Sequence, residues 1–263
     1  MSYGFDLGIA GRTALVCGSS EGLGRESALA LARAGVHVAI NGRDEAKLAA
    51  TAADIRAASD VTVTLAPGDV TSEAGRRAIL AKCPQPDILV NNAGGPPPGN
   101  FLSWTEEDWQ KALNANMLAA IFMTNAVLEK MIERRWGRVI NITSQAVKMP
   151  MPLIGLSTSA RAGLTGYMAT IAREVAQHGV TVNNLLPGFF ETKRLQQYLS
   201  SVAASRNMSA EDLTAERAAA NPSRRSGRPE EFGAWCAFVA SAHSGYMTGQ
   251  NILLDGGAYP GLF

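Results

Sequence analysis

A glycine-rich run, Gly18-Ser19-Ser20-Glu21-Gly22-Leu23-Gly24, sits between a short apolar segment and a helical pattern, and this junction constrains the fold more than any other feature. The segment before it, Thr13-Ala14-Leu15-Val16-Cys17, is apolar and bounded by glycines, as suits a strand buried on both faces. After it, Arg25–Ala34 carries apolar residues at helical spacing, and Gly35 stands where a C-cap would end the helix. Glycine has no Cβ, so a G-x-x-x-G-x-G turn lets the backbone fold tightly and come close to a diphosphate. The helix that follows offers unpaired N–H groups and a positive dipole end to an anion. A plain glycine turn is the competing reading; the strand before and the helix after favour the phosphate loop.

The alternation continues along the chain. Val36–Ile40, Val61–Ala66, Ile88–Val90, Arg138–Ile142, Thr181–Leu186 and Asn251–Leu254 read as strands, and Asp44–Ala58, Glu106–Glu133 and Ser159–Gln177 as helices, with Asp44 as an N-cap. Pro96-Pro97-Pro98 is too short to be a linker. The pattern predicts an α/β protein: one Rossmann-type doubly wound sheet, mostly parallel, spanning residues 1–263 as a single domain. Ligands of such sheets bind beyond the carboxyl ends of the strands.

Composition narrows the function. With 24 Lys+Arg against 23 Asp+Glu, the net charge of +1 argues against a nucleic-acid partner. Cys17, Cys83 and Cys236 form no C-x-x-C pair, and His37, His178 and His243 show no metal spacing, so no metal is expected. The opening residues lack a basic-then-apolar signal, and the apolar stretch Ala112–Leu128 contains Asn114, Asn116 and Asn125, which a membrane span rarely tolerates. A cytoplasmic protein with no membrane partner is expected.

At the second strand end, roughly 20 residues past the loop, an NAD-binding chain usually carries an acidic residue for the ribose hydroxyls. Here the sequence is Asn41-Gly42-Arg43-Asp44. Arg43 suits a 2′-phosphate, which favours NADP over NAD, although a solvated surface arginine would look the same.

Further motifs occur in a fixed order: Asp69-Val70, Asn91-Asn92-Ala93-Gly94, Pro187-Gly188-Phe189-Phe190-Glu191-Thr192, Gly227-Arg228-Pro229-Glu230-Glu231, and Gly249-Gln250-Asn251 through Asp255-Gly256-Gly257. Together with the glycine loop they resemble the short-chain dehydrogenase/reductase family over nearly the whole chain, most closely its 3-oxoacyl-carrier-protein-reductase-like branch. Cys17 stands where that family usually has Thr. The resemblance implies an oxidoreductase interconverting a small-molecule carbonyl and an alcohol. It implies a nicotinamide cofactor bound by Gly18, Ser20, Gly22, Leu23, Gly24, Arg43, Asp69, Val70, Asn92, Ala93, Gly94, Pro187, Gly188 and Thr192.

The family's catalytic set is Asn, Ser, Tyr and Lys. Asn116 and Ser144 match the first two, although a packing asparagine and a turn serine are the alternatives. The Tyr position, 13 residues past Ser144, holds Ser157, and the Lys position holds Arg161. Ala162-Gly163-Leu164 and Ala172-Arg173-Glu174-Val175-Ala176 keep the family register, so the pair is substituted and not slipped. Spaced four apart on a helix, Ser157 and Arg161 share a face, and Arg161 can still meet the ribose. A guanidinium stays charged and shuttles no proton, and a serine hydroxyl is short and weakly acidic. Lys148 and Tyr198 are other possible proton donors, whereas Tyr167 lies ~15 Å from Ser157 along the helix. Pro96-Pro97-Pro98, Phe101, the 149–156 loop and Phe189-Phe190 suggest an apolar pocket wall, or loops packed on each other. A catalytically impaired nucleotide-binding sensor or partner subunit is the alternative to the enzyme, and an interaction scaffold a third. The small and apolar residues around Glu106–Glu133 and Ser159–Gln177 point to a homo-tetramer, because similar enzymes pair these helices across a two-fold axis.

Overall fold

Strand residues in this chain feed two apolar layers at once. In β1 (Thr13–Val16), Ala14 and Val16 point into one layer and Leu15 into the other, following the period-two alternation of a strand. The computed structural model describes residues 6–262; residues 1–5, the head of the segment read for a targeting signal, lie outside it. The remaining strands are β2 (His37–Gly42), β3 (Val63–Pro67), β4 (Ile88–Asn91), β5 (Gly137–Ile142), β6 (Val180–Pro187) and β7 (Asn251–Leu254). They form one parallel sheet in the order β3-β2-β1-β4-β5-β6-β7. This is the α/β Rossmann-like arrangement expected, and its strand order reverses between β1 and β4.

One layer holds α1 (Gly22–Arg33), α2 (Glu45–Ala58) and α9 (Pro229–Ala240), through Leu31, Ile55 and Phe232. The other holds α3 (Glu73–Lys82), α5 (Ala119–Glu133) and α6 (Gly155–Val175), through Ile79, Met123 and Leu164. Asp44 caps α2 by accepting from the Lys47 amide at 3.1 Å, and Gly35 follows α1 with φ +79°, a conformation that glycine adopts without strain.

Three of the expected helices differ in extent. Helix α1 starts at Gly22, so it takes in the last glycines of the loop. Helix α6 starts at Gly155, which puts Ser157 and Arg161 inside its first two turns. The long helix Glu106–Glu133 is interrupted: α4 (Glu106–Leu113) passes through a π-helical turn, Asn114–Leu118, into α5. A π turn inserts one extra residue without disturbing the apolar spacing on either side, so periodicity alone does not reveal it. Beyond β6, α7 (Lys193–Ser205) and α8 (Ala210–Ala220) form a third apolar cluster with the loops after β5 and β6. Among the described residues no helix is long and apolar enough to cross a membrane.

Candidate active site

The glycine loop joins the end of β1 to α1 where the strand order reverses. Gly18 has φ +55°, and a Cβ there would lie 2.8 Å from the Asn92 carbonyl oxygen. A Cβ on Gly24 would lie 2.3 Å from the Gly18 carbonyl oxygen, so neither position admits a larger residue. Asn92 Nδ2 donates to the Gly18 carbonyl at 2.9 Å and fastens this loop to the Asn91-Asn92-Ala93-Gly94 turn after β4. Glu21, at the N-cap of α1, makes no side-chain cap, and the first turn of α1 carries no acidic residue. The leading amides therefore face the cleft without an anion of their own. A Cβ on Gly94 would meet nothing within 4 Å, so this turn borders open space. A tight glycine turn, uncapped amides and a clear cleft fit a dinucleotide. The Leu23 side chain packs against the core, which leaves its N–H as its contribution to the loop.

Ser20 lies against the end of β2, where a Cβ on Gly42 would be 3.2 Å from its Oγ, and the next residue, Arg43, is exposed. Asp69 accepts from the Thr71 amide at 2.9 Å and the Thr71 hydroxyl at 2.7 Å. Desolvation pushes its pKa up, but these hydrogen bonds and the nearby Arg43 charge outweigh it and hold the carboxyl below its usual range. Val70 packs against the apolar layer under α3. Thr192 caps α7 by accepting from the Leu195 amide at 3.2 Å, and its methyl group would be 3.8 Å from a Cβ on Gly22. Pro187 ends β6, and the Gly188 amide donates to the Leu254 carbonyl at 2.8 Å.

Ser157 and Arg161 meet Asn116 directly. Arg161 Nε donates to Ser157 Oγ at 3.1 Å, and Ser157 Oγ donates to Asn116 Oδ1 at 3.1 Å. Asn116, buried in the π turn, donates from Nδ2 to the Gly94 carbonyl at 2.9 Å. Arg161 also donates to the carbonyls of Ile142, at 2.8 Å, and Ala93, at 3.3 Å. Burial, with the neighbouring Arg194 charge, pulls the Arg161 pKa down to about 10, which still leaves it charged at neutral pH. A cavity of about 20 Å³ beside it is lined by Asn91, Asn92, Asn116 and Arg161 among others, enough room for one water. Ser144 caps the short 3-10 turn Gln145–Val147, its Oγ accepting from the Ala146 amide at 3.1 Å.

Lys148, Tyr198 and the rejected Tyr167 make contacts of their own. Tyr198 is buried, stacked on Phe189 at 6.1 Å and covered by Arg217. Tyr167 donates to Asn125 Oδ1 at 2.8 Å. The Lys148 ammonium lies 5.8 Å from the Tyr259 ring centre. Of the expected pocket wall, Phe190 turns into the core against Phe232, Phe101 is exposed, and Met151, Leu153, Ile154 and Phe189 pack on α7. Among the described residues no group of three or more His, Cys, Asp and Glu could hold a metal.

Two features escaped the sequence reading. Asn91, Asn141, Asn184 and Asn251 stand in register on β4 to β7, and each Nδ2 donates to the next Oδ1 at 2.8–2.9 Å. Arg194, in the first turn of α7, reaches back to donate to the Pro96 carbonyl. A cation two residues past Thr192, at the positive end of a helix, was the available signal.

The family model for the short chain dehydrogenase matches residues 12–202. This chain belongs to the short-chain dehydrogenase family. It is 35% identical to a 3-oxoacyl-acyl-carrier-protein reductase of Synechocystis sp. over 94% of this chain and 96% of that one. It is 32% identical to the NADPH-dependent reductase BacG of Bacillus subtilis over 94% and 97%. In structure it is similar to the L-sorbose reductase of Gluconobacter frateurii complexed with NADPH and L-sorbose, with a TM-score of 0.92 and 25% identity over 98% of this chain and all of that one. As a short-chain dehydrogenase it is an NAD(P)H-dependent oxidoreductase acting on carbonyl and alcohol groups of small molecules.

Proposed function

We propose that the chain is an NADPH-dependent reductase of small carbonyl compounds in which Ser157 and Arg161 replace the family's Tyr and Lys. The observation that carries it is the hydrogen-bond chain from Arg161 through Ser157 and Asn116 to the Gly94 carbonyl, set beyond the carboxyl ends of β4 and β5. When bound, NADPH supplies the hydride. The leading amides of α1 with Gly18, Gly22, Leu23 and Gly24 hold its diphosphate, and Ser20 and Arg43 its 2′-phosphate. Asp69 and Val70 would hold the adenine, and Asn92, Ala93, Gly94, Pro187, Gly188 and Thr192 the nicotinamide half.

Ser144 uses its oxygen to accept from Ala146 and keeps its hydrogen for the substrate oxygen. Ser157 spends its hydrogen on Asn116, so it positions and does not protonate. The proton that completes the alcohol is relayed from bulk solvent through water between Ser157 and the substrate, as support for which stands the short serine side chain at the Tyr position. Residues 1–263 act as one unit, assembled as a cytoplasmic homo-tetramer.

NADPH consumption and cofactor calorimetry on variants test this. Ser157→Ala lowers turnover and leaves NADPH affinity unchanged; Arg161→Ala weakens NADPH binding. The double change Ser157→Tyr with Arg161→Lys raises turnover by up to ~10²–10⁴, the usual contribution of a positioned general acid. A fast wild type indifferent to Ser157→Ala defeats the proposal.

A further inference from the structure

Gly95 marks a point where three side chains converge. A Cβ there would lie 3.2 Å from an Arg194 terminal nitrogen, 3.5 Å from Asn116 Oδ1 and 3.5 Å from Ser157 Oγ. The Arg194 guanidinium thus comes close to Ser157 and Asn116 over Gly95. It donates to the Pro96 carbonyl, and among the described residues no carboxylate lies within ion-pairing distance of it. Its neighbours are of its own sign: Arg161 beneath, the positive end of α7, and Lys193 alongside. Lys193 is answered by Glu21 at 3.7 Å, whereas Arg194 has no such answer.

Arg138, at the opposite end of the sheet, shows how this protein completes a buried arginine. Its donors go to the carbonyls of Gly137, Gly179 and Ser241, and its face lies 4.5 Å from the Trp136 ring centre. Arg194 has one carbonyl and remains open to solvent, so most of its five-donor fork is left over. A planar fork open to solvent beside Ser157, with a second guanidinium near it, matches a carboxylate.

We propose that Arg194 binds the carboxylate of the substrate, and that the substrate is a small oxo acid and not a neutral ketone. Naming that carboxylate as part of the substrate rests on the reductase function proposed above.

Calorimetry with acetoacetate and methyl acetoacetate, on the free and the NADPH-loaded protein, tests it. The acid binds at least about tenfold more tightly than the ester, as a charge-assisted pair provides. Arg194→Gln abolishes the difference, Arg194→Lys keeps part of it, and NADPH affinity stays as in the wild type. Equal binding of acid and ester overturns the proposal, as does a preference that survives Arg194→Gln, or no binding of either compound. Failure to bind NADPH in the same titrations would instead overturn the reductase function, while the acid–ester comparison on the free protein still decides the role of Arg194.

Discussion

At the scale of single residues, charge and burial decide what this chain can do. Arg43 is exposed at the end of β2, which leaves its guanidinium open to the 2′-phosphate we propose that it binds. Arg43→Ala is expected to lower NADPH affinity about tenfold or more and leave NADH affinity unchanged, as read by calorimetry, because only the 2′-phosphate meets the guanidinium. The cysteines show the opposite case. Burial pushes the thiols of Cys17 and Cys236 up to about 12, with Cys83 adding to the shift at Cys17. Cys83 itself rises to about 11 through burial and the nearby Asp87 charge. At pH 8 the native protein should therefore resist thiol-labelling reagents, and all three cysteines should label in denaturant. The sign of the linked stability follows. A thiol raised in the folded state favours folding fully below its unfolded value of about 9. That contribution fades as pH climbs toward the folded values. Urea midpoints should fall steadily above pH 9 if the thiols dominate, and a flat profile there would count against it.

Among the elements, the asparagine ladder and the π turn carry the most information. Asn141 is fully buried, accepts from Asn91 and donates to Asn184. Asn141→Ala should destabilise the fold by about 2–3 kcal/mol in urea titration, because the Asn184 oxygen then loses its donor inside the sheet and a small cavity opens. Strands were legible because segments such as Ile88–Val90 are buried on both faces and read as continuous apolar runs. The ladder was not, since one asparagine per strand looks like an isolated polar exception until strand register lines the four up. The π turn hid for the reason given by its geometry. Ser157 and Arg161 are read as a substituted pair from the anchors downstream that fix their register, and the structure adds what spacing does not give: their bond to each other and to Asn116. Arg194 lies two residues past Thr192, where one matched motif ends, and only the fold brings it back over Gly95.

Over the whole molecule, apolar side chains remain outside both layers. Trp109, Leu118 and Phe122 are exposed along α4, the π turn and α5, and Trp235 and Phe238 along α9, which packs on the other side of the sheet. Two such faces on one chain can build a closed assembly with two kinds of contact. Light scattering at micromolar concentration should give about four times the 27.7 kDa chain mass, and Phe122→Glu should lower it. A mass of one chain for the unmodified protein rules the tetramer out. Arg161 has a consequence at the same scale. Its guanidinium ties the carbonyl of Ala93, just past β4, to that of Ile142, the last residue of β5. The floor of the cleft is thereby clamped by the chain's own groups. Less chain freedom is left to surrender on association, so the entropy of cofactor binding is less unfavourable than for a floor that must first be ordered. The amide hydrogens around that tie should exchange slowly in the free protein, at nearly the rate they show once the cofactor is in place.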